Sequence, residues 1–168
     1  MANIEHFYPI ISDIEGGFSN DKDDAGKETY RGVTIATFRS VYGKDKTVQD
    51  LKNMTEQQWR YIYKIYWDSC NADKITNQSI AELVVDWSIN SGVEGRKGVQ
   101  KVFRLVEDGI FGPKTLGALN GSPAKCIFCK IMDARIQYYK DLVERKPSQK
   151  KFLNGWLNYR LPHFQFEP

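Results

Sequence analysis

The chain has 168 residues, with 24 Lys and Arg against 21 Asp and Glu and a net charge of +3. That length can bury one good core, or one core with a small second lobe, and no run approaches the ~20 apolar residues of a membrane span. The start Met-Ala-Asn-Ile-Glu-His has neither the basic region nor the apolar run of an export signal, so a soluble protein made in the cytoplasm without a signal peptide is expected. The mild positive charge favours an anionic partner such as a cell-wall polymer or nucleic acid and demands neither.

In chain order the periodicity is helical almost throughout. Residues 3–15 form the first predicted helix, with Ile4, Phe7, Tyr8 and Ile11 at i, i+3, i+4 and i+7 and Glu15 next on the same face. The pair Gly16-Gly17 supplies the positive-φ residue that commonly ends a helix. Burial against the stripe and the negative end of the helix dipole would both raise the pKa of Glu15. A solvated helix-terminal glutamate fits the same pattern.

Residues 18–34 read as a loop with short extended pieces, rich in Gly, Asp, Asn and Thr. Short helices follow over 36–42 and 48–53. Thr55-Glu56-Gln57-Gln58 has the spacing of a helix start and leads into Trp59, Ile62, Tyr63 and Tyr66, an aromatic stripe suited to the core. A helix over 79–91 buries Ile80, Leu83, Val84 and Trp87. It carries Asn90 within its apolar face and Asp86 at the margin, which suits either a site or a structural hydrogen-bond network.

Gly92 and Gly95 break this pattern, and a second block starts near residue 96. Val99, Val102, Phe103 and Val106 predict a helix that stops at Asp108-Gly109. Gly112-Pro113 opens a short helix, Ser122-Pro123 launches the longest one to about Arg145, and Ile127, Ile131, Tyr138 and Leu142 mark its face. The basic stretch 145–151 reads as a solvated turn. The expected division is therefore 1–95 for a catalytic lobe and 96–168 for a second helical lobe. The expected fold class is mainly α, a helical bundle with a short loop and β region after the first helix.

Carboxylate chemistry is the best supplied. Three cysteines, Cys70, Cys126 and Cys129, cannot all pair within the chain, and Cys126-x-x-Cys129 lies inside a helical pattern, so all three read as buried small apolar residues with no metal site. Asp21, Asp23 and Gly26 match positions 1, 3 and 6 of a calcium-binding loop, but Ala25 and Gly32 stand where ligands are required. With His6 and His163 the only histidines, nucleophilic triads are poorly supplied.

The run Glu15-Gly16-Gly17-Phe18-Ser19-Asn20-Asp21, with Asp23-Asp24, Gly26, Glu28-Thr29 and Gly32-Val33-Thr34, resembles the signature of the N-acetylmuramidase family of bacterial and phage secretion-activator proteins. Asp86, Ile89-Asn90-Ser91-Gly92 and Gly155-Trp156 resemble further family positions, and the match spans nearly the whole chain. Lys22, Ala25, Lys27 and Arg31 depart from the family pattern. The stretch Asp108-Gly109-Ile110-Phe111-Gly112-Pro113-Lys114-Thr115 resembles the core of small helical peptidoglycan-binding modules.

These resemblances imply a lysozyme-like α+β fold and a glycoside hydrolase that cuts between N-acetylmuramic acid and N-acetylglucosamine in peptidoglycan without a cofactor. They imply Glu15 as general acid, Asp24 as second carboxylate in competition with Asp21 and Asp23, and Thr29 or Thr34 orienting water. Asp21, Glu28, Tyr30, Thr34, Asp86 and Asn90 are the expected sugar contacts. Peptidoglycan strands are the expected partner, with no nucleic acid and a holin-like export partner at the cell wall or periplasm. A lytic transglycosylase and a non-catalytic wall-binding protein are the alternatives.

Overall fold

The computed structural model describes residues 1–16, 18–20 and 28–168, and of residues 18–20 the backbone alone. The chain packs as two compact units, Tyr8–Ile65 and Met1–Phe7 with Tyr66–Pro168. Helix α1 (Ile4–Ile14) leads into a three-stranded antiparallel sheet of β1 (Phe18–Asn20), β2 (Glu28–Tyr30) and β3 (Val33–Thr34), in the order β1-β2-β3. Then come α2 (Ile35–Tyr42), α3 (Val48–Lys52) and α4 (Glu56–Ser69). The remaining helices are α5 (Gln78–Val102), α6 (Pro113–Leu119), α7 (Ala124–Arg145) and α8 (Lys150–Gly155), followed by a π turn over Trp156–Arg160. The fold is mainly α with a small sheet, as expected.

The core of the Tyr8–Ile65 unit is built from the predicted stripes. Tyr8, Ile11 and Ile14 of α1 are buried, as are Phe38 of α2, Leu51 of α3, and Trp59, Ile62 and Tyr63 of α4. The start of α4 is a reciprocal capping box. The amide of Gln58 donates to Thr55 Oγ1 at 3.2 Å, and the amide of Thr55 donates to Gln58 Oε1 at 3.0 Å. Thr47 and Asp50 form the same device at the start of α3.

Strands β2 and β3 are joined by Arg31-Gly32, with φ of 49° and 76°. Two consecutive positive-φ residues are what a tight two-residue hairpin of the primed type requires. The left-handed Arg31 is held from both ends. Its carbonyl accepts from Trp59 Nε1 at 3.1 Å and from the Tyr63 hydroxyl at 3.0 Å. Its guanidinium lies 4.3 Å over the Trp59 ring and donates to Glu56 Oε2 at 2.7 Å. The aromatic stripe of α4 is thus core on one side and a clamp on the hairpin turn.

In the second unit α5 is buried on every side from Ser79 to Ser88 and bends at Gly92, whose φ of 60° and ψ of −141° are non-helical. The helix resumes at Val93, earlier than the expected restart near residue 96. Gly95 and Gly98 have no side chain to interrupt the turn that packs on Trp87, and a Cβ on Gly98 would lie 2.6 Å from the Trp87 ring. Gly92 is the break that the pattern predicts, whereas Gly95, expected to be a second one, is a contact point inside the helix. The same segment also stops short of the expected 108, at Val102, and Val106 is 77% exposed. The cause is Gln100, buried, which accepts from the Gly109 amide at 2.7 Å and donates to Asp108 and to the Ile110 carbonyl, tying the loop to the helix.

Helix α7 is the longest uninterrupted one, and α6 has Pro113 at its first turn. The buried line of α7 is Ile127, Ile131, Arg135 and Tyr139, whereas Tyr138 and Leu142 are half-buried. The basic stretch is a 3-10 turn over Pro147–Gln149 and then the first residues of α8, not a turn throughout. Cys70 is buried, and burial pushes its thiol up to about 11, but Cys126 and Cys129 are exposed on α7, contrary to the expectation that all three are buried. Among the described residues no helix is long and apolar enough to cross a membrane.

Candidate active site

Glu15 follows directly on α1, and its amide donates to the Ile11 carbonyl at 3.0 Å, so the helical turn carries the side chain onward from the buried line of Ile11 and Ile14. It is half-buried. The side chain lies against the tip of the β2–β3 hairpin, where a Cβ on Gly32 would come within 2.5 Å of Glu15 Cγ and 2.6 Å of Cδ, and would also strike the Tyr63 hydroxyl. Real Cβ contacts are never so short. Gly32 is thus required twice, by its positive φ and by the space that the carboxyl group of Glu15 and the phenol of Tyr63 occupy.

The hairpin brings the other expected residues to the same unit. Thr29 pairs with Thr34 across the β2–β3 ladder, so their side chains share one face, while Glu28 and Tyr30 alternate to the other. All four are half-buried. Thr34 is already engaged as the cap of α2, accepting from the Thr37 amide at 3.0 Å and donating to Thr37 Oγ1 at 3.0 Å. Asp21, Asp23 and Asp24 lie outside the described residues, as does Gly26 of the calcium-like spacing. Among the described residues no group of three His, Cys, Asp or Glu side chains could hold a metal ion.

One substitution tests this packing directly. Gly32→Ala is expected to cost roughly 1 to 3 kcal/mol of stability, because it adds overpacking to a left-handed backbone. It should also displace the Glu15 carboxyl and lower activity by more than the stability loss explains. Urea unfolding and the rate at constant folded fraction measure the two effects separately.

Asp86 and Asn90 fall in the other unit, in a buried polar network. Asp86 has no exposure; Arg135 Nη2 donates to its Oδ2 at 2.6 Å, Arg160 Nε to Oδ2 at 3.0 Å, and Arg160 Nη2 to Oδ1 at 2.7 Å. Burial pushes this carboxyl up, but the charges of Arg160 and Arg135 and their hydrogen bonds outweigh it and hold it below the ordinary aspartate range. Arg135 also donates to the Tyr139 hydroxyl, which donates in turn to Asn90 Oδ1 at 2.6 Å. Tyr139 stacks on Trp156 at 4.8 Å between ring centroids. In this geometry Asp86 is enclosed by arginines and anchors α5, α7 and the C-terminal π turn to one another. Asn90, half-buried at the end of the relay, is the member nearest solvent.

In the sequence Tyr63 reads as core alone, and nothing there singles out Arg135 or Arg160. The first lies on a plain aromatic stripe, and the arginines are 49 and 74 residues from Asp86.

A carboxylic acid at a helix end against a small antiparallel sheet, in a mainly helical chain, is the arrangement of lysozyme-like glycoside hydrolases. Comparison with known families identifies the class more closely. Residues 8–92 match the model described as Glycosyl hydrolase 108, and residues 97–161 match that of a Predicted Peptidoglycan domain. A solved structure, that of Brucella abortus SagA, is similar over 95% of this chain and 90% of its own, with a TM-score of 0.84 and 27% identity. No curated protein matches the chain. The protein belongs to the glycosyl hydrolase 108 family. It is a lysozyme-like enzyme that acts on peptidoglycan, and so at the cell wall.

Proposed function

We propose that the enzyme is an N-acetylmuramidase, hydrolysing the bond between N-acetylmuramic acid and N-acetylglucosamine with Glu15 as the general acid. The observation that carries this reading is the fit of the Glu15 carboxyl group against Gly32. A proton donor must be held in one place relative to the bond it breaks, and this contact leaves the side chain little freedom. Protonation of the glycosidic oxygen by Glu15 lets the leaving sugar depart as an alcohol, and positive charge develops on the remaining sugar as an oxocarbenium ion.

A second carboxylate then stabilises that charge or activates water, and we assign it to Asp24. The assignment rests on the resemblance of the Glu15-to-Asp24 interval to that of phage-type lysozymes. A retaining route needs the two carboxyls ~5–5.5 Å apart and an inverting one ~6.5–9.5 Å. Thr29, on β2, is suited to orient the water. Glu28 and Tyr30 are suited to contact sugar, and we assign Asp21 a further contact.

We place the functional boundary near residue 95. The family matches support it, since one ends at residue 92 and the other begins at 97. The carboxyl-terminal part then carries wall attachment and the amino-terminal part the chemistry.

Borohydride reduction of digested peptidoglycan, followed by sugar analysis, tests the bond assignment. N-acetylmuramitol at the new ends is the expected product. N-acetylglucosaminitol would move the cut to the other glycosidic bond, and non-reducible anhydro ends would make the enzyme a lytic transglycosylase.

A further inference from the structure

The β2–β3 hairpin is too small to fix its own tip. Its strands have three and two residues, and a sheet of strands this short has little stability of its own in water. Helix α4 supplies the anchor. Trp59 and Tyr63, one helical turn apart and each 1% exposed, both donate to the Arg31 carbonyl, at 3.1 Å and 3.0 Å. A carbonyl oxygen has two lone pairs, so two buried donors fully satisfy this one.

The two donors face different neighbours. On the Trp59 side the Arg31 guanidinium covers the indole and reaches Glu56. On the Tyr63 side lies Glu15. Among the described residues, a Cβ on Gly32 would meet three atoms first, the Tyr63 hydroxyl oxygen and Cγ and Cδ of Glu15, the last two at 2.5 and 2.6 Å. The phenol and the carboxyl group therefore flank the same face of Gly32. Ring packing does not call for the hydroxyl, since Tyr63 meets Trp59 at 4.6 Å between centroids in a contact that phenylalanine would make as well. What the oxygen adds is a bond to the turn and a fixed neighbour for Glu15.

We propose that Tyr63 is a positioning residue for Glu15: its buried hydroxyl pins the hairpin tip against which the Glu15 carboxyl group rests. Being buried, it touches no sugar and acts through the general acid alone. This assignment rests on Glu15 being the general acid and names what holds that group in place.

Tyr63→Phe tests it, and the variant keeps Trp59 Nε1 on the Arg31 carbonyl, so no buried acceptor is orphaned. On soluble, un-cross-linked glycan strands, kcat per folded molecule should fall about 10- to 100-fold with KM within about twofold, because a small misplacement of a proton donor costs rate and not binding. In a Glu15→Gln background the same substitution should cost nothing further, since no proton is left to aim. In protein carrying isotope-labelled glutamate, the Glu15 carboxyl resonance should move in Tyr63→Phe, which reads position without any chemistry. Unchanged kcat in a folded Tyr63→Phe variant, a rise in KM alone, an equal loss of rate in the Glu15→Gln background, or an unmoved Glu15 resonance would each overturn the proposal. Full rate for Glu15→Gln with the resonance still moved would count against the general acid while upholding the contact.

Discussion

Glu15→Gln is expected to lower the rate of glycan cleavage by about 10²- to 10⁴-fold, the range over which a positioned general acid contributes. That loss corresponds to about 3 to 5.5 kcal/mol of transition-state stabilisation. The amide keeps the Cγ and Cδ positions that fit over Gly32, so the packing at the hairpin tip is preserved and only the transferable proton is lost. Stability and sacculus binding should therefore stay within a few tenths of a kcal/mol of wild type. The rate of dye release from labelled sacculi, read beside a urea melt, checks both. Full activity in a folded Glu15→Gln variant would remove Glu15 from the reaction.

The second large effect is structural. Asp86→Ala should destabilise the protein by roughly 3 to 5 kcal/mol, because it leaves the guanidinium groups of Arg135 and Arg160 buried without their counter-charge. The measurement is the urea midpoint at unchanged m-value. A residue that merely touched sugar would instead alter binding and leave the midpoint in place.

The same pair of contacts sets a pH dependence. The folded-state pKa of Asp86 lies below its unfolded value, so its contribution is fully present above the unfolded value of ~3.9 and is lost as pH falls through the folded one. Acid unfolding of the wild type should accordingly be steepest below about pH 4. The Asp86→Ala variant should show a shallower dependence there.

Much of the fold can be read locally. The stripe through Tyr8 and Ile11, the Thr55–Gln58 cap and Pro113 at the start of α6 are decided within a few residues, and the helices form where those signals lie. Gly95 misleads because a glycine that breaks a helix and one that admits a tryptophan look alike until the tryptophan is in place. Arg135 interrupts the apolar line of α7 for a similar reason. It is buried only because Asp86, on another helix, and Tyr139, one turn on, receive its donors.

The site divides in the same way. The position of Glu15 at the end of α1 follows from helical spacing. Its contact with Gly32 depends on the hairpin closing with two positive-φ residues, and the pairing of Thr29 with Thr34 depends on the register that this turn imposes. Enclosure of Asp86 by two arginines depends on a π turn that places Arg160, and no short-range pattern announces it.

The most direct test of Glu15-dependent muramidase action is mass spectrometry of the fragments released from purified sacculi by wild type and by Glu15→Gln side by side. Fragments ending in reducing N-acetylmuramic acid from wild type, and essentially none from the variant, are the predicted result. Equal release of such fragments by both proteins, or no release by wild type under conditions where it binds the sacculus, would contradict it.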